Sequence, residues 1–147
     1  MRAEVIAIGS ELLTPYRLDT NSLFLTAELN QVGLQVTHKT VVGDAPDDMG
    51  ASFRQALDNA DIVVACGGLG PTDDDRTRDA VADLLGRKLV RHEATFQKIQ
   101  ERFRRFGRVM PEINARQAPI IEGASVANTK ISRSGPILKI VPLRSPT

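Results

Sequence analysis

The hydrophobic positions along the chain change period several times, and each change marks an expected element. Ala3 to Gly9 is a short run rich in Val and Ile that stops at Gly-Ser, the pattern of a buried strand. After a loop around Pro15, Asp19-Thr20-Asn21 offers helix N-caps. Leu25, Leu29 and Val32 then recur at helical spacing until Gly33 ends the run. Leu34 to Val42 mixes β-branched and polar residues as a strand does, and ends at Gly43-Asp44. Asp47-Asp48 opens a second helix with Met49, Phe53, Ala56, Leu57 and Ala60 on one face. Asp61 to Cys66 is apolar after its first residue, as in a parallel strand covered on both sides. A loop extends from Gly67 to Asp75. Beyond it, Ala80, Val81, Leu84 and Leu85 face inward from a third helix that stops at Gly86. Phe96, Ile99, Phe103 and Phe106 trace one face of a fourth helix, ended by Gly107.

This alternation predicts an α/β fold, a three-layer sandwich with a mostly parallel sheet and helices on both faces. There are no internal repeats. The last residues differ: Pro136, Pro142 and Pro146 crowd together, Ile137 to Val141 fits one short strand, and no helix fits after it. The C-terminal part of the fold is therefore expected to be missing, with residues 129–147 a divergent, poorly ordered tail.

Composition narrows the classes. The 147 residues are 41% hydrophobic and 25% charged, as expected for one soluble domain rather than a disordered or fibrous chain. Lys plus Arg is 19 and Asp plus Glu is 18, so no global electrostatic pull toward nucleic acid or membrane is expected. Aromatics are 4% with no Trp, which gives a base-stacking surface little support. The single cysteine, Cys66, excludes a disulfide framework and any multi-Cys zinc site, and suits a cytoplasmic location. No apolar run approaches the roughly 18 residues that a membrane span needs.

Ligands of open α/β sheets bind at the carboxyl ends of the strands. Three such ends are expected to converge here: Gly9-Ser10-Glu11, Gly43-Asp44 and the loop from Gly67. Glycines at 67, 68 and 70 let backbone approach a ligand, and the following helix adds its N-terminal partial charge, so an anion is favoured. The loop meets neither the Walker pattern nor GxGxxG, because Asp73 stands where the third glycine belongs. A tight turn serving geometry alone is the other reading. Asp73, Asp74, Asp75 and Asp79 would repel a phosphate unless a cation such as Mg²⁺ bridged them, with Asp44 and Glu11 from neighbouring strand ends completing the site. The alternative is that Asp73 to Asp75 are N-cap and first-turn residues of the helix; a metal-bridged phosphate is the preferred reading. His38 and His92 lack ligand-like spacing, and Cys66 is expected to be a buried, inert thiol. The run Lys98, Arg102, Arg104, Arg105, Arg108 reads as a solvated helix face, with phosphate binding the alternative.

Ile8-Gly9-Ser10-Glu11-Leu12-Leu13, Asp19-Thr20-Asn21, Gly43-Asp44 and CGGLGPTDDDRTRDAVA together resemble the competence/damage-inducible protein A (CinA) family. Asn114 to Ala118 and Glu122-Gly123-Ala124 extend the resemblance, which covers Ala3 to about Asn128. It implies a molybdopterin-binding-like domain over 1–128. The family's GGxG and Asp-x-Thr loop maps onto Gly67, Gly68, Gly70, Asp75 and Thr77, and its strand-end aspartate onto Asp44. It also implies hydrolysis of a nucleoside diphosphate sugar, ADP-ribose to AMP and ribose 5-phosphate, with Mg²⁺, Mn²⁺ or Co²⁺. Catalysis would then fall to Asp75 and Asp44, phosphate binding to Gly67, Gly68, Gly70, Thr72 and Thr77, and the metal to Asp75, Asp44, Asp74 and Glu11. Alternatives are a pterin- or nucleotide-binding module without chemistry, or an inactive fragment. By the same resemblance a homo-oligomer is expected.

Two features depart from the family pattern. Thr14-Pro15-Tyr16-Arg17-Leu18 replaces a glycine-containing segment, and the Pro-Gly-Pro-Pro loop that supplies part of the family's ligand site is absent after Asn128. Ile131 to Pro136, shifted by one base, reads as Ser-Ala-Ala-Pro-Gly with plausible codons, which approximates the family stretch. A frame slip near Thr129 or Lys130 is the hypothesis. Sequencing of the coding DNA should reveal a Pro-Gly-Pro-Pro loop in the shifted frame, and its absence there rules the slip out.

Overall fold

A computed structural model of the chain describes residues 1–126 together with the strand 137–140. Its centre is β1 (Arg2–Ile8), which runs parallel to β2 (Gln35–Val42) on one side and to β3 (Ile62–Cys66) on the other. β6 (Ile137–Ile140) pairs antiparallel with β3 and gives the order β2-β1-β3-β6. It falls where Ile137 to Val141 was expected to form a strand. The rest of the expected divergent segment, 129–136 and 141–147, lies outside the described residues, as do 127 and 128.

Because side chains alternate along a strand, β1 feeds two cores. Val5 and Ala7 join Ile62, Val64 and Cys66 beneath α1 (Thr20–Gln31), which adds Leu25. Ile6 and Ile8 join Val63 and Ala65 on the opposite face. There α2 (Pro46–Asn59) contributes Met49, Phe53 and Ala56, and α3 (Thr77–Leu84) contributes Ala80 and Val81. Helices on both faces explain why all five β3 residues are buried. The Asp19 side chain accepts from the Ser22 amide at 3.0 Å and fixes the start of α1.

α4 (Glu93–Arg105) lies outside this sandwich, with no fully buried residue. It stands between β4 (Leu89–Arg91) and β5 (Pro119–Ile121), which form a separate antiparallel pair. A 3₁₀ helix, Glu112–Gln117, leads into β5. Neither short strand is visible in the sequence, since three residues are too few to display a period. Among the described residues no helix is long and apolar enough to cross a membrane.

Three residues expected to continue the apolar stripes of their helices are instead exposed: Val32, Leu85 and Phe106. Each is the C-cap of its helix and is followed by a glycine with positive φ, at Gly33, Gly86 and Gly107. The helical path ends at the cap, so the apolar stripe ends one residue sooner than its spacing suggests.

This packing separates two substitutions. Phe53→Ala, at a fully buried site beneath the sheet, should lower unfolding free energy by about 3–5 kcal/mol in urea melts. Leu85→Gln should stay within about 0.5 kcal/mol. Equal losses would contradict this division between core and cap.

Candidate ligand site at the glycine loop

The three strand ends singled out in the sequence meet. The Gly9 amide donates to the Val42 carbonyl at 3.0 Å, which prolongs the β1–β2 pairing by one step. Beyond it, the Ser10 amide donates to Asp44 Oδ2 at 2.9 Å and the Asp44 amide donates to Ser10 Oγ at 3.1 Å. This reciprocal pair locks the β1 end to the β2 end. On the other flank Gly67 has φ +95°, and a Cβ there would strike the Ile8 carbonyl oxygen.

β3 therefore passes directly into the loop against the backbone of β1. The loop then folds back on α3. Thr77, fully buried, donates its hydroxyl to the Gly67 carbonyl at 2.9 Å and its amide to the Gly68 carbonyl at 3.1 Å. Its side chain is thus spent inside the protein and pins the loop rather than facing a ligand. Gly70 lies against the Asp75 carboxylate. Asp75 accepts from the Thr72 amide at 2.9 Å and from the Thr72 hydroxyl. Burial pushes the Asp75 carboxyl up, but the Thr72 hydroxyl and amide, the Gly70 amide and the nearby Arg78 cation outweigh it. The result lies below the ordinary carboxylate value. Asp73 to Asp75 precede the helix, whose N-cap is Arg76, so they are loop residues; Asp79 is the acidic residue of the first turn.

Arg78 was not anticipated from sequence, and it ties the region together. Its guanidinium donates to the Gln117 carbonyl at 2.9 Å, the Arg116 carbonyl at 3.0 Å and the Gly70 carbonyl at 3.4 Å. Arg116 in turn pairs with Asp73 across the loop. Apart from Gly70, these pairings span about forty residues of sequence, too far for any local pattern to announce.

Two hollows flank the loop. One, of about 470 Å³, is lined by Gly70, Thr72, Asp73, Asp75, Arg78 and Arg116 among others. The second, of about 480 Å³, lies at the carboxyl ends of β1 and β3, between Ile8, Glu11, Asn21, Cys66 and Gly67. The chain goes from β1 to β2 through α1 on one face, and from β2 to β3 through α2 on the other. β1 and β3 thus flank the point where the winding reverses, the usual ligand crevice of such sheets. Of the residues expected to serve a site, Glu11 and Gly67 fall in the second hollow, and Gly70, Thr72 and Asp75 in the first. Gly68, Asp44 and Asp74 line neither hollow, and the Asp44 carboxylate is held at Ser10. Among the described residues no three His, Cys, Asp or Glu side chains gather so as to hold a metal ion.

The remaining candidates have structural surroundings. His38 Nδ1 lies 3.1 Å from the buried Glu4 carboxylate, an ion-pair contact rather than an aligned hydrogen bond. His92 caps α4 by accepting from the Thr95 amide. Burial, with the Asp19 charge nearby, pushes the Cys66 thiol up to about 11, which leaves it protonated and inert at neutral pH.

The sequence profile of the family described as "Probable molybdopterin binding domain" matches residues 4–140. The CinA-like protein of Solibacter usitatus is 51% identical over 126 residues, 86% of this chain and 30% of that protein. The CinA-like protein of Chlorobaculum tepidum is 43% identical over 143 residues, 97% of this chain and 34% of that one. The crystal structure of CinA from Thermoplasma acidophilum, titled as a protein of unknown function, superposes with a TM-score of 0.73. It is 34% identical, with 82% of this chain and 70% of that one covered. The chain belongs to the CinA family. A MoaB described as a molybdopterin biosynthesis enzyme, from Thermus thermophilus, shares the fold at a TM-score of 0.57 and 22% identity, covering 82% of this chain and 78% of that one. This CinA-family chain spans about a third of the length of the curated relatives it matches.

The lowered Asp75 value has a sign that can be tested. A carboxyl depressed in the folded state stabilises it fully above the unfolded value, and this contribution fades as pH falls through the folded value. Protection of the Thr72 amide against hydrogen exchange should therefore persist at the ordinary carboxyl value of 3.8 and weaken only below it. Asp75→Asn should weaken it throughout the pH range in which the wild type keeps it, and should remove its pH dependence. Loss of wild-type protection above that value would show that the carboxyl is not depressed, and unchanged protection in Asp75→Asn would show that Asp75 does not hold the loop.

Proposed function

We propose that this CinA-family domain binds a nucleoside diphosphate sugar across the glycine loop and hydrolyses its diphosphate, converting ADP-ribose to AMP and ribose 5-phosphate with the help of a divalent cation. The observation that carries the reading is the pair of similar hollows on the two sides of the loop. A ligand with two bulky ends and a diphosphate between them suits such a site. The Gly68 and Leu69 amides, which find no acceptor among the described residues, are the groups offered to the diphosphate.

A resident ion would need a cage of protein ligands, and no trio of suitable side chains is gathered among the described residues. An ion arriving with a diphosphate needs only one or two carboxylates. Asp44 and Asp75 are the residues assigned to it, with Asp74 and Glu11 as lesser contributors. When bound, the cation supplies charge neutralisation at the phosphate oxygens and a more acidic water. Ser10 fixes the Asp44 carboxylate through one oxygen, and Thr72 does the same for Asp75. Both carboxylates are thereby oriented before a ligand arrives, which lowers the entropic cost of assembling the site.

The missing trio favours a second reading, a pterin- or nucleotide-binding module without chemistry. ADP-ribose incubated with Mg²⁺, Mn²⁺ or Co²⁺, and with an EDTA control, separates the two. The proposal expects AMP only with metal, and a fall of at least about a hundredfold in Asp75→Ala without loss of a cooperative melt. Binding without product from a chain that melts cooperatively selects the module; neither product nor a cooperative melt indicates an inactive fragment.

A further inference from the structure

Arg116 and Asp73 face each other over the first hollow, and their pairing has a physical oddity. The Asp73 side chain is 90% exposed and that of Arg116 58% exposed, so the ion pair adds little to folding. The Arg116 main chain, however, is tightly held. Arg78 donates to its carbonyl and to that of Gln117, and the same guanidinium reaches the Gly70 carbonyl of the loop. The structure thus anchors the backbone of Arg116 beside the loop, while its charged end engages, among the described residues, a solvated carboxylate.

Of the three arginines lining this hollow, Arg78 is occupied by carbonyls, and Arg76 borders the hollow from the loop itself. Arg116 reaches it from the 3₁₀ helix on the far side, where a cation can close over a ligand lying on the loop. A carboxylate and a phosphate present similar paired oxygens to a guanidinium fork, and the phosphate carries more charge.

We infer that Arg116 is the anion-clamping residue of this site and that Asp73 is its placeholder. When a diphosphate occupies the loop, Arg116 exchanges the Asp73 carboxylate for phosphate oxygens, and Asp73 returns to water. This inference rests on the diphosphate-binding reading above and names a residue that the reading does not use. Because Arg78 already holds the Arg116 backbone, Asp73 acts in this scheme only as a competitor of the ligand for the guanidinium.

The two substitutions therefore act with opposite signs, which a purely structural ion pair cannot produce. Calorimetric titration with ADP-ribose, and separately with inorganic pyrophosphate, measures both, with a thermal melt of each variant as control. Arg116→Ala should weaken both ligands by at least about tenfold, the loss expected for a charge-assisted contact. Arg116→Lys should fall between it and the wild type. Asp73→Asn should tighten binding by about two- to fivefold, matching the small worth of an exposed pair. The double variant should behave as Arg116→Ala alone. Weakening by both single variants would make the pair structural and overturn the inference, as would no change in either. Wild-type protein that binds neither ligand would overturn the diphosphate reading together with this one. Wild-type binding with unchanged variants would overturn the clamp alone.

Discussion

At the end of the central strand there is no room for a side chain between β1 and the residue that follows β3. The Ile8 carbonyl oxygen occupies the space where a Cβ of residue 67 would stand. Glycine at 67 is thus a condition for the two strands to finish side by side. The course of the whole loop depends on that closeness. Gly67 turns with positive φ, the chain doubles back, and Thr77 reaches the Gly67 carbonyl to start α3. A larger residue at 67 would displace the loop from β1 and take both hollows with it.

Glycines in such loops are commonly read as openings for a ligand. In this chain they are first of all openings for the protein. Ile8 fills the place beside Gly67, Thr77 that beside Gly68, and Asp75 that beside Gly70. The ligand-facing groups are accordingly the backbone amides and the side chains that the loop presents once folded. The carboxylates are divided in the same way: Asp75 is turned inward on Thr72, Asp73 outward on Arg116, and Asp44 is fixed by Ser10. Charge that looks concentrated along the sequence is distributed by the fold among separate partners.

Much of this was legible in the chain itself. The periods of Met49-Phe53-Ala56 and of the apolar stretch Ile62 to Cys66 announced the sandwich, because a buried face imposes its spacing on many residues at once. The convergence of Ser10, Asp44 and Gly67 came from parallel strands, whose carboxyl ends share one edge. Other features left no trace. β4 and β5 are too short to show alternation, and Arg78 gains its partners from the segment before β5, a contact that no local spacing encodes. The assignment of Val32, Leu85 and Phe106 to the apolar stripes of their helices failed for one shared reason: a helix C-cap no longer follows the helical stripe.

The segment from β4 through α4 to β5 has a thermodynamic character of its own. Between Leu89 and Ile121 only Ala118 and Ile121 are buried, whereas the sheet and its covering helices hold nearly all the remaining core. Local opening costs free energy in proportion to the apolar surface it exposes, so this segment forms a low-stability unit attached to a high-stability one. The domain is therefore a two-tier molecule. Its outer tier, which includes the far wall of the first hollow with Arg116 in it, buries little apolar surface of its own and is held to the inner tier largely by the carbonyls that Arg78 engages.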